Sequence, residues 1–158
     1  MFGYATSFNG DISKWDVSKV TTMTHMFNGA SSFDCDISKW KVSKVAFMTS
    51  MFNSATSFNG DVSEWDVSKV IAMSHMFYGA TSFNVDIAKW NVLKVTNMNY
   101  MFWHAASFKQ QIFRPTWLRS KASKVGMLIG SAGTMCTATF ASRASLKRAV
   151  TALSLIHI

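Results

Sequence analysis

Met26-Phe27-Asn28-Gly29-Ala30-Ser31-Ser32-Phe33-Asp34-Cys35-Asp36-Ile37-Ser38-Lys39-Trp40-Lys41-Val42 comes back at residues 51–67 and again at 76–92 with its Met, Phe, Ala, Ser-Phe, Asp, Trp and final Val each held in place. The step is 25 residues, and no insertion breaks it from residue 1 to about 112. Met-Phe pairs open at Met1, Met26, Met51, Met76 and Met101, and Ser-Phe pairs follow at Ser7, Ser32, Ser57, Ser82 and Ser107. Asp11, Asp36, Asp61 and Asp86 come next, then Trp15, Trp40, Trp65 and Trp90, then a Lys-Val pair and a Met. A fixed period of this length is the signature of a repeat architecture, in which each unit is too small to fold alone. Burying the eight apolar side chains of one unit does not offset the entropy of ordering 25 backbones. Equivalent side chains of successive units must therefore lie over one another. The structural core expected from this is Trp15, Trp40, Trp65 and Trp90 with Phe27, Phe52, Phe77 and Phe102.

Within a unit, Trp15 and Val17 alternate with Lys14, Asp16 and Ser18, which predicts a short strand over residues 14–18. Met23, Met26, Phe27 and Ala30 have helical spacing and predict one or two helical turns over 22–30. Ser7 to Asp11 is rich in turn formers and should return the chain. The expected fold class is α/β: a right-handed leucine-rich-repeat-like solenoid with one short parallel strand and one short helical turn per 25-residue repeat.

Ile12-Ser13-Lys14-Trp15-Asp16-Val17 follows the LxxLxL spacing of leucine-rich repeats. The longer string from Met26 to Phe33, followed by Asp36-Ile37-Ser38-Lys39-Trp40, resembles the BspA-type leucine-rich-repeat surface proteins, a pattern shared by surface lipoproteins. The resemblance covers residues 1 to about 112. It implies a surface or extracellular location and a role in adhesion or protein binding.

The net charge is +8, but it is unevenly placed. All acidic residues lie between Asp11 and Asp86, and the lysines up to Phe108 balance them, so the repeats are neutral. The whole excess follows Phe108, from Lys109 to Arg148. So sharp an asymmetry marks a boundary. Two segments are expected: residues 1–112, four full repeats and part of a fifth, and residues 113–158, a basic non-repeat tail. In the tail Pro115 stands where the next Trp is due, and Trp117 comes two residues late. Ala144 to Ile158 could form an amphipathic helix on an anionic membrane or nucleic acid. Against that, Leu153-Ser154-Leu155-Ile156-His157-Ile158 equals the translation of a common transposase sequencing adapter, so part of the tail is expected to be artefactual or disordered. The chain also opens inside a repeat cycle, and a fragment of a longer protein is expected. No basic-then-apolar leader and no run of about 18 apolar residues is present.

Two exposed columns are the candidate binding face: Lys14, Lys39, Glu64 and Lys89, and beside them Asp16, Lys41, Asp66 and Asn91. Side by side, opposite charges along such a stack attract. The same ladders would also serve solubility and alignment alone. The column of Asp11, Asp36, Asp61 and Asp86 suits Asx turns better than calcium, because the ligand and glycine pattern of a calcium loop is missing. A Thr/Ser column (Thr6, Ser31, Thr56, Thr81) raises the idea of a hydroxyl ladder for glycan or ice, broken at Ala106. His25 and His75 share a column with Ser50 and Tyr100, a poor metal site. Cys35 and Cys136 form no spacing motif. No nucleophile–base pair or phosphate loop stands out. The expectation is a non-enzymatic surface module for a protein or glycan partner, with no cofactor, metal or small-molecule substrate and with nucleic acid or membrane binding by the tail as the alternative.

Overall fold

In a computed structural model of the chain, which describes residues 1–135, the 25-residue units lie one on another in layers. The expected strand-plus-helix solenoid is not what they build. Among the described residues, regular elements are confined to β1 (Gln111–Ile112), α1 (Pro115–Arg119) and β2 (Thr134–Met135). None lies within residues 1–110, where the chain runs through consecutive turns.

Backbone hydrogen bonding explains why. In the segment read as helical, Met23, His25, Phe27 and Gly29 donate their N–H groups to the carbonyls of Phe47, Thr49, Met51 and Asn53, one layer on. The intervening N–H groups of Met26, Asn28 and Ala30 close turns on Met23, His25 and Phe27, three residues back. An α-helix over residues 22–30 would have used the donors from Met26 onward internally, four residues back. His25 and Gly29 are moreover left-handed, at φ 57° and 72°, which a right-handed helix cannot contain. The spacing that imitates a helix has another origin. A turn brings its first and fourth residues close together, and here both ends point inward. Met23 with Met26, Phe27 with Ala30 and Ala30 with Phe33 are such pairs.

The segment read as a strand is also turns: Trp40 donates to the Ile37 carbonyl and Val45 to that of Val42. Its side chains still alternate, with Trp40 and Val42 buried and Lys39 and Lys41 exposed. Parallel pairing between layers instead occurs at single residues of the Met-Phe segment, Thr22 with Phe47, Phe47 with Ala72, Ala72 with Asn97 and Asn97 with Ser123.

Two phenylalanine files run through the core. Phe2, Phe27, Phe52, Phe77 and Phe102 stack with neighbouring centroids 5.6–5.7 Å apart, and Phe8, Phe33, Phe58, Phe83 and Phe108 form the second file. Within each layer the two rings stack at 3.8–4.0 Å. Trp40, Trp65 and Trp90 tilt against the first file and donate their indole N–H groups to the carbonyls of Ile12, Ile37 and Val62 in the layer before. Trp15 is the exception in the Trp file, 42 % exposed on a first layer that is covered from one side only.

Packing continues beyond Ile112, where the sequence loses its step. Met98, Tyr100, Phe102 and His104 donate to the carbonyls of Ser123, Val125, Met127 and Ile129. Trp117 is fully buried, and β1 pairs with β2 in parallel. Trp117 falls 27 residues after Trp90 rather than 25, and α1, opened by Pro115, takes up the difference. The basic segment is thus partly a further layer. The candidate amphipathic stretch Ala144–Ile158, its last six residues and Cys136 lie outside the described residues.

Candidate interaction faces

Charge is sorted by position within the layer. Residues 20–33, 45–58, 70–83 and 95–108 hold no Asp, Glu, Lys or Arg, and every charged residue of the repeats lies on the remaining arc. That arc carries both expected columns, and Lys14, Lys39, Glu64, Lys89, Asp16, Lys41, Asp66 and Asn91 are all exposed. Lys14, Asp16, Lys39 and Lys41 come together around a shallow depression floored by Trp15 and Val17. Further along, Lys89 Nζ meets Glu64 Oε1 at 2.6 Å, which raises the pKa of Lys89. This is the one ion pair among the described residues. Asp16 and Lys41 attract at longer range without closing a bridge.

The aspartates of this arc chiefly organise backbone. Asp11, Asp36, Asp61 and Asp86 accept the N–H groups of Ser13, Ser38, Ser63 and Ala88 at 2.9 Å, the geometry of Asx turns. Asp16, Asp66 and Asn91 do the same for Ser18, Ser68 and Leu93. The hydroxyl and backbone N–H of the serine two residues on hold the carboxyls of Asp11, Asp16, Asp61 and Asp66 below their ordinary 3.8. For Asp36 the backbone N–H of Ser38 is the larger of the two effects. Two residues before the Asp column, Asn9, Asp34, Asn59 and Asn84 form a file that the sequence did not reveal as structural. Each side-chain oxygen accepts the backbone N–H of the equivalent residue one layer on, at 2.9–3.0 Å. Among the described residues no group of three His, Cys, Asp or Glu is placed to hold a metal ion.

The Thr/Ser column turns out to serve the stack. Ser31, Thr56 and Thr81 donate their hydroxyls to the carbonyls of Thr6, Ser31 and Thr56. A ligand lying on that column would meet hydroxyls already committed to backbone.

Sequence reasoning missed an aromatic cluster on the uncharged arc. The rings of Tyr78 and Trp103, in equivalent positions of successive layers, are parallel with centroids 6.3 Å apart. Tyr100 stands edge-on to Trp103 at 5.3 Å, His75 lies 5.1 Å from Tyr100, and His104 meets Trp103 edge-on at 5.4 Å. His104 is exposed and the other four are half-buried. The equivalents of Tyr78 in earlier layers are Asn28 and Asn53, so no aromatic repeat was legible there.

The family model described as "Mycoplasma protein of unknown function, DUF285" matches residues 1–78 and 44–139. No curated protein and no solved structure matches the chain.

Proposed function

Since the chain belongs to the DUF285 family, we propose that it is a non-enzymatic repeat module that binds another protein through its charged arc. The observation that carries this is the meeting of Lys14, Asp16, Lys39 and Lys41, from two layers, around one shallow depression. Polar groups there stand in files along the stack, an arrangement suited to a long complementary surface on a partner. An enzyme needs groups converging on one reacting atom, and files do not supply that. Mixed signs in adjacent columns favour a partner of mixed charge and give orientation more than raw affinity. A cell-surface setting and an adhesive role are part of the same proposal, on the strength of the repeat motif's resemblance to surface proteins.

The test is retention on an array of purified cell-surface and matrix proteins. Wild-type chain is expected to be retained by a member of the array. Combined Lys14→Glu, Lys39→Glu and Lys41→Glu should abolish retention without altering the thermal melt, and deletion of residues 136–158 should leave it intact. Loss on deleting 136–158 alone would move the activity to the basic end and end this reading.

A further inference from the structure

The aromatic cluster and the uncharged arc that carries it call for a ligand of their own. Four positions on this arc change character through the stack. They are Thr22, Thr24, His25 and Asn28 in one layer, and the half-buried Asn97, Asn99, Tyr100 and Trp103 three layers on, while Ser50 and Ser74 in the layers between are buried. Val125 and Ile129 of the next layer, 58 % and 53 % exposed, extend the cluster. Gly126 lets Tyr100 lie flat on the backbone, because a Cβ there would come within 2.7 Å of two ring carbons. Lys124, the cation beside Val125 in sequence, folds back to donate to the carbonyls of Ser120 and Ala122. Asn97 and Asn99 accept backbone N–H groups, of Asn99 and Val125, through their Oδ1 atoms, which leaves their amide NH2 groups as donors.

Amphipathic rings gathered on a surface mark a binding site more often than a solvated one. What binds is constrained by the surroundings. A nucleic acid or an acidic peptide would require cations, and the layers carrying Tyr78, Tyr100 and Trp103 offer none across residues 70–83 and 95–108. Hydroxyl and amide groups beside aromatic rings suit a ligand with many hydroxyls and apolar C–H faces. The rise between layers, 5.6 Å from Phe77 to Phe102, is comparable with the length of one pyranose unit. We propose that Tyr78, Tyr100 and Trp103 form a platform for an uncharged oligosaccharide running along the stack. Its C–H faces pack on the rings, and its hydroxyls meet Asn97 and Asn99. The platform occupies a different arc from the charged columns, so it does not depend on the protein-binding role.

The experiment presents the full chain with immobilised neutral oligomers of glucose, mannose, galactose and N-acetylglucosamine, with sulfated and sialylated glycans as charged controls. Retention by at least one neutral oligomer, unchanged by high salt, is expected. Trp103→Ala should weaken it by about tenfold or more, and Trp103→Phe should keep most of it. Tyr78→Ala, in another layer, provides a second variant should Trp103→Ala fail to melt like wild type. Lys14→Glu with Lys39→Glu should leave retention unchanged, which separates this site from the charged arc. Four results would overturn the platform: no neutral oligomer retained, preference for the charged glycans, retention surviving both alanine variants, or a cluster that instead joins two copies of the chain.

Discussion

Trp65 and Trp117 are both buried in the core but differ in one bond. Trp65 donates its indole N–H to the Ile37 carbonyl, which also accepts the N–H of Trp40. Trp117, displaced by the two extra residues before it, has a fully buried indole nitrogen without a hydrogen-bond partner. Replacing either by Phe removes similar volume, but only Trp65→Phe also removes a hydrogen bond. Trp65→Phe should therefore cost about 1 kcal/mol more than Trp117→Phe, read from denaturant midpoints. Equal losses would show that the indole bond contributes nothing. Conformation matters as much as contact at this scale. Tyr4, Gly29, Ser54, Gly79, His104 and Gly130 form a file in which every residue has positive φ. At Gly79 an added Cβ would meet Ser54 only at ordinary contact distances, so backbone strain is the whole effect there. Gly79→Ala should lower stability by about 1 kcal/mol, and an unchanged thermal midpoint would contradict the left-handed assignment. The Gly at 29 and 79 was visible in the sequence; that Tyr4, Ser54 and His104 share its conformation was not, because those residue types do not announce it.

At the scale of the element, the unit is a run of turns, and three-residue closures replaced both the strand and the helix read from the spacing. The Asx turns were legible, since an Asp with a Ser two residues on has a local backbone partner wherever it sits. They also set the acid behaviour. Asp11, Asp16, Asp36, Asp61 and Asp66 bind protons less readily folded than unfolded. As pH falls, the unfolded chain takes up protons first, near 3.8, and stability drops from there until the folded carboxyls are protonated as well. Their contribution is therefore constant from neutral pH to somewhat above 3.8 and lost below it. Chemical denaturation should show a decline in that window that is reduced in Asp61→Asn with Asp66→Asn. A decline of the same size in the double variant would place the acid sensitivity elsewhere.

Over the whole molecule, stability comes from interfaces between like layers, so removing one whole layer should be tolerated far better than removing half of one. Deleting residues 45–69 joins Lys44 to Val70 and keeps the Lys-Val step. That variant should melt cooperatively at a lower temperature than wild type. Deleting residues 45–56 removes Phe52 from the first phenylalanine file, leaves Phe58 of the same layer without its stacked partner, and should abolish the cooperative melt; a sharp transition in the shorter deletion would refute the stacked arrangement. The layering itself could be read from sequence because a strict 25-residue period leaves equivalent residues no better partner than one another, and the buried Trp and Phe files follow from it. The columns of charge were likewise legible as exposed, but their meeting around Trp15 and Val17 was not, because it depends on how the turns are aimed. The sequence by itself determined the period, the inward and outward sides, and the segregation of charge onto one arc. Tertiary structure alone decided that alternate N–H groups go to the neighbouring layer, which is why turns stand where a helix and a strand were expected. It also decided that Tyr78, Tyr100 and Trp103 meet on one surface. Hydrogen-bond partners one layer away lie 24 to 27 residues along the chain, beyond the reach of any local spacing rule.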